Sequence, residues 1–124
     1  MTLRGAILVA AAAALTAGAN VLLRAGILRF GELSLTLREL PPAMVAFARQ
    51  PLFVAGTFLY AAAAIVWFSA ISIEELSTSY PVLVGMTFVL VTACAVPIFG
   101  ESFSVPKGLG IVVILLGVVL VARA

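Results

Sequence analysis

The chain has 124 residues, of which 65% are hydrophobic and only 10% charged, with a net charge of +2 and a mean hydropathy of +1.31. A soluble domain carries about 25% charged residues, so too few polar groups remain here to cover a globule, and a soluble enzyme is excluded. The charges cluster between long uncharged runs, which marks an integral membrane protein, while the small net charge and the lack of His support neither nucleic-acid binding nor a histidine metal site.

The first element is Gly5–Leu23, an uncharged run bracketed by Arg4 and Arg24. A span needs roughly 20 residues to cross about 30 Å of hydrocarbon, and this run meets that length. Arg4, the apolar run and Ala17-Gly18-Ala19 also have the form of a signal peptide with a small-residue cleavage site. The chain retains the segment, and it reads as the first transmembrane span. Thr16, Asn20 and Arg24 recur every four residues, which puts them on one helix face over about 12 Å. Polar groups inside a membrane are costly and mark function by default. The stripe therefore reads as a cavity wall, with Arg24 near the cytoplasmic end able to bind an anionic headgroup. The alternative is packing: Thr16 bonds back to its own helix, Asn20 joins helices and Arg24 snorkels to lipid phosphate.

Residues 25–50 are the one substantial part outside the spans. Arg29, Glu32, Arg38, Glu39 and Arg49 stand among leucines, and Pro41-Pro42 interrupts the segment. The stretch 43–48 is too short to cross a bilayer, so it reads as an interfacial helix or a cytoplasmic extension of the second span. A solvated connector is the alternative.

The second span is Pro51–Ile73, with Pro51 where proline suits a first helical turn. Thr57, Tyr60 and Trp67 share a face at three- and seven-residue spacing. Tyr60 and Trp67 stand well inside the span, away from the ends where aromatic anchors gather. Tyr60 is a candidate for the cavity; ordinary packing with a satisfied polar tip is the alternative.

The third span, Leu76–Gly100, is the longest uncharged run and ends at Glu101. Ser77, Tyr80, Val84, Thr87, Val91 and Cys94 alternate at three and four residues on one face. Pro81 frees a backbone carbonyl beside Tyr80, a device found next to membrane cavities. Glu101 falls on the same side as Arg24, where the two charges are able to pair. No carboxylate lies deep within a span, although a proton- or cation-coupled carrier needs one to exchange its ion for substrate. Cys94, the single cysteine, reads as a small hydrophobe.

The fourth uncharged run, Gly108–Ala122, is shorter than the other three. Val105 and Pro106 extend it while Lys107 and Arg123 snorkel outward. Gly110 and Gly117 lie on one face and read as an association surface, the alternative being lipid-facing filler. The expected fold is thus an all-α membrane protein: one domain over 1–124, with spans of about 4–24, 51–73, 76–100 and 105–123 and an interfacial segment between the first two. No metal-ligand set or nucleophile–base pair stands in the chain, so neither a cofactor nor an enzyme is expected.

With four spans both termini share a side. That side carries Arg4 and Arg123, and the other carries Arg24, Arg29, Arg38, Arg49 and Lys107. The excess places the termini outside and the 24–50 loop inside.

Taken together, these residues resemble the drug/metabolite transporter superfamily in its four-helix, EamA/small-multidrug-resistance-like form. The likeness rests on Tyr80-Pro81 opening the third span, Phe99-Gly100-Glu101 closing it, the Gly110/Gly117 helix, and Asn20-Val21-Leu22-Leu23-Arg24 as a polar-xxx-basic motif. The small multidrug resistance branch carries an acid in the middle of its first helix, the shared drug and proton site. The matching position here is Leu15 or Thr16, with no acid nearby, and Leu83 stands where that branch has an aromatic platform. The chain is closer to the subunits that flip aminoarabinose-phosphoundecaprenol across the bacterial inner membrane, which keep the polar and basic residues of the first helix, the Tyr-Pro and the terminal Glu.

That resemblance implies a multi-pass protein of the bacterial inner membrane. Four helices do not enclose a pathway alone, so it functions as a homodimer, or as a heterodimer with a related four-helix subunit, joined through the fourth spans at Gly110 and Gly117. Arg24 would bind the phosphate of a polyprenyl phosphate carrier. Asn20, Thr16, Tyr60 and Tyr80 would contact its sugar, Glu101 would orient Arg24, and the tail would stay in the bilayer. Export of cationic compounds by a small-multidrug-type carrier and a non-transporting accessory subunit are the competing expectations.

Overall fold

The computed structural model describes residues 1–30 and 36–124, so that Glu32 of the connector lies outside the described residues. The described residues form five helices in order: α1 (Leu3–Ile27), α2 (Leu40–Ala48), α3 (Pro51–Ile71), α4 (Leu76–Phe99) and α5 (Val105–Arg123). No strand occurs among the described residues. All but α2 are long and apolar enough to cross a membrane.

Local chemistry explains the helix ends. Thr2 caps α1, its hydroxyl accepting from the Gly5 N–H at 3.0 Å. The helix continues past Arg24 to Ile27, because a cation in the last turn suits the negative end of the helix dipole. Hydropathy marks where the apolar run stops, whereas hydrogen bonding decides where the helix does. Gln50 is buried and caps α3, its Oε1 accepting from the N–H groups of Leu52 at 2.6 Å and Phe53 at 3.3 Å. α3 ends at Ile71, two residues before its apolar run does, as Ser72 and Ile73 enter the turn. α4 continues through Pro81 and Pro97 and stops at Gly100, whose φ of +65° favours a residue without Cβ.

The interfacial segment is a separate helix and not an extension of the second span. Pro41 and Pro42 do not interrupt it; they fall in its first turn, where a missing N–H is harmless. Phe47 holds it to the bundle, edge-on to Phe30 at 5.1 Å and stacked on Phe53 at 4.8 Å.

α1 is the centre of the bundle, packed along α3 and α4. Small residues make the approach close: Ala12, Ala13, Ala17 and Ala19 are buried on α1. A Cβ on Gly56 would stand 3.1 Å from the Ala19 carbonyl, and one on Gly26 would stand 2.9 Å from the Phe53 nitrogen. Val9, Ala70 and Val82 form the core cluster, with Trp67, Met86 and Val118 against it. α5 leans on α4, Val118 filling the space beside Gly85, and buries no residue of its own. Gly110 and Gly117 face open space.

Candidate functional site: a groove between α1, α3 and α4

α3 and α4 barely touch, because α1 lies between them. The space left on one side of α1 is a groove of about 600 Å³. Thr16, Asn20 and Arg24 line it from α1, Tyr60 from α3, Tyr80 from α4, and Glu101 from just beyond α4. All six residues singled out in the sequence as substrate contacts therefore border one groove. The rest of the lining follows the three-and-four spacing of α4: Val84, Thr87, Val91, Ala95 and Phe99, with Leu83, Phe88 and Thr92 beside them. Ser77 and Cys94, on the same expected stripe, do not border the groove.

Thr16 donates to the Ala12 carbonyl at 2.7 Å, and Asn20 Nδ2 donates to the Thr16 carbonyl at 2.9 Å. Both side chains are thus tied back to their own helix, and the Asn20 oxygen keeps its acceptor capacity. Arg24 is exposed, and its guanidinium has no hydrogen bond or ion pair among the described residues. The ion pair with Glu101 that the spacing allows is not made: the two charges share the groove without closing on each other. Tyr60 and Tyr80 are about half exposed, at 46% and 54%, so the groove opens to the side.

The expected shared face of Thr57, Tyr60 and Trp67 is divided. Trp67 packs in the core and meets the Tyr80 ring edge-on at 6.0 Å, fixing that ring at the groove's edge. Thr57 turns to an apolar groove of about 530 Å³ between α2 and α3, lined by Met44, Phe47, Phe53 and Phe58. Tyr60 stays on the polar wall. Sequence reasoning places Thr87 on the stripe with Tyr80 but gives it no task. Its hydroxyl is buried beside the groove with no hydrogen-bond partner among the described residues.

No group of His, Cys, Asp or Glu able to hold a metal occurs among the described residues. Among the described residues the groove thus brings together a guanidinium, a carboxylate, several hydroxyls and aromatic faces, a set able to hold a polar group. The chain is a multi-pass membrane protein with a side-opening groove whose largely apolar walls carry polar side chains.

The chain is 34% identical to a probable 4-amino-4-deoxy-L-arabinose-phosphoundecaprenol flippase subunit ArnF of Pseudomonas fluorescens, over 53% of this chain and 50% of that protein. To the protein of the same name in Aeromonas hydrophila it is 32% identical, over 76% of this chain and 66% of that protein. An uncharacterized protein y4nH of Sinorhizobium fredii is 32% identical over 59% of this chain and 62% of its own length. The chain thus spans between half and just under two thirds of the curated relatives it matches. No protein-family model matches it, and no solved structure does. The two relatives with an assigned role are both named as probable flippase subunits.

Proposed function

We propose that the chain is one subunit of a transporter that flips a polyprenyl-phosphate-linked sugar, or a similar anionic lipid, across the bacterial inner membrane. The observation that carries this reading is Arg24, an unpaired guanidinium at one end of a side-opening groove whose other polar groups are uncharged except Glu101. A cation in such surroundings is stabilised by an anion, and guanidinium matches phosphate with two parallel hydrogen bonds. The phosphate binds at Arg24 from the cytoplasmic leaflet. The sugar meets Asn20, Thr16, Tyr60 and Tyr80, and the isoprenoid tail stays in lipid beside the open edge. Glu101 competes for Arg24 and helps to release the phosphate. A second subunit, the same or a related chain, completes the pathway at the Gly110 and Gly117 face of α5.

Export of a hydrophobic cation is the second reading, favoured by the aromatic rings of Tyr60, Tyr80, Phe88 and Phe99 lining the same groove as Glu101. Binding of undecaprenyl phosphate to the purified protein separates the two. Saturable binding that is lost in Arg24→Ala and unaffected by tetraphenylphosphonium supports the lipid flippase. Displacement by the cation supports the exporter, and binding of neither supports an accessory subunit.

A further inference from the structure

Four hydroxyls on the membrane-spanning helices share one habit. Thr16, Thr57, Ser79 and Thr92 each donate to the carbonyl four residues back, at 2.7, 2.9, 2.8 and 2.8 Å. In a bilayer this is the cheapest way to satisfy a hydroxyl. Thr87 does not do so: its Oγ1 is sealed from solvent and has no partner among the described residues. An unmade hydrogen bond at a buried group is a cost that folded proteins rarely carry without a use.

The position of Thr87 suggests the use. α1 and α4 run in the same direction, with Thr2 beside Glu74 at their starts and Arg24 and Glu101 on one groove at their far ends. Val9 packs in one cluster with Val82. Thr16 lies seven residues beyond Val9 and Thr87 five beyond Val82, rises of about 10 Å and about 8 Å, so the two threonines stand at nearly the same depth. Thr87 borders the groove there, across from the polar stripe of α1. Turning χ1 by about 120° to another staggered well re-aims the hydroxyl from its sealed position toward the wall the residue already forms.

We propose that Thr87 is a specificity-determining residue whose hydroxyl bonds a hydroxyl or amine of a sugar headgroup midway along the groove, distinguishing glycosylated lipid phosphate from the bare carrier. This rests on the flippase reading above. Arg24 reads the phosphate common to both lipids, and Thr87 reads what only one of them has.

The test measures binding of undecaprenyl phosphate and of 4-amino-4-deoxy-L-arabinose-phosphoundecaprenol to wild type, Thr87→Val, Thr87→Ser and Thr57→Val. Thr57 lies outside the groove and its hydroxyl is already bonded, so it controls for the loss of a membrane hydroxyl. Wild type is expected to prefer the glycosylated lipid. Thr87→Val should lose about five-fold of that preference, the scale of one neutral hydrogen bond, with affinity for the bare lipid unchanged. Thr87→Ser should restore it, and Thr57→Val should keep it. Equal wild-type affinity for the two lipids, or a preference that survives Thr87→Val, overturns the role of Thr87 while leaving the flippase reading intact. No binding of either lipid by wild type overturns both.

Discussion

Thr2 grips Glu74 with two donors. Its backbone N–H reaches Oε1 at 2.9 Å and its hydroxyl reaches the same oxygen at 2.6 Å, joining positions 72 residues apart. The first turn of α1 is thereby fixed to the turn between α3 and α4, and Gly5 is bare because a Cβ there would collide with the Glu74 carboxylate. The hydrogen bonds from the Thr2 side chain and backbone, with the nearby amino terminus, hold the Glu74 pKa below the ordinary carboxylate value.

A depressed folded-state pKa contributes stability that is present above the unfolded value and lost as pH falls through the folded one. Acidification from about pH 5 to about pH 3 should therefore lower the melting temperature in detergent. Thr2→Val removes one of the two donors, so its melting temperature should fall less over the same interval. An equal fall in both proteins would show that the Thr2 hydroxyl is not what lowers this pKa.

The approach of α1 to α3 is set by hydrogen atoms where other residues have side chains. Gly56→Leu must push against Leu23 and the Ala19 carbonyl, and overpacking of this kind costs about 1–3 kcal/mol. A lower melting temperature is expected, with weaker lipid binding because Tyr60, one turn further on, moves with the helix. Gly110→Leu meets no atom of this chain and should leave the melting temperature of a monomeric sample unchanged.

Arg24→Ala separates binding from stability. The guanidinium has no partner among the described residues, so its removal should change stability by less than about 0.5 kcal/mol. Binding of undecaprenyl phosphate should fall about ten-fold or more, the scale of one lost charge-assisted contact. Loss of folding in this variant would mean that Arg24 is structural.

Phe47 carries two ring contacts, each of about 0.5–1.5 kcal/mol, so Phe47→Ala should release α2 from the bundle. Hydrogen exchange should quicken over residues 40–48 while α1 and α4 keep their protection. Uniform protection in the variant would show that α2 is held by something else.

Much of this is legible from spacing. Four uncharged runs give four long helices because a bilayer leaves the backbone no other partner than itself. The period of the helix puts Thr16, Asn20 and Arg24 on one wall, and Tyr80 with Thr87 on the facing one. Two kinds of detail are not legible. Helix ends depend on caps: α1 passes Arg24, and Gln50 starts α3 with a side-chain amide that no hydropathy profile registers. The partners of individual polar atoms depend on rotamers, which is why Thr87 looks like its bonded neighbours in sequence, and why Arg24 and Glu101 look like a pair. Trp67 is separated from Tyr60 by small angular differences that decide which side of a helix meets a neighbour.

The order of parts along the chain has a further consequence. Every residue that walls the groove, from Thr16 to Glu101, precedes α5, and the uncovered glycines of α5 come after all of them. A ribosome therefore makes every residue of the wall before it makes the last helix. The two parts are separate cassettes of the sequence, so a change in the final helix alters which surface the molecule offers without rewriting the wall behind it.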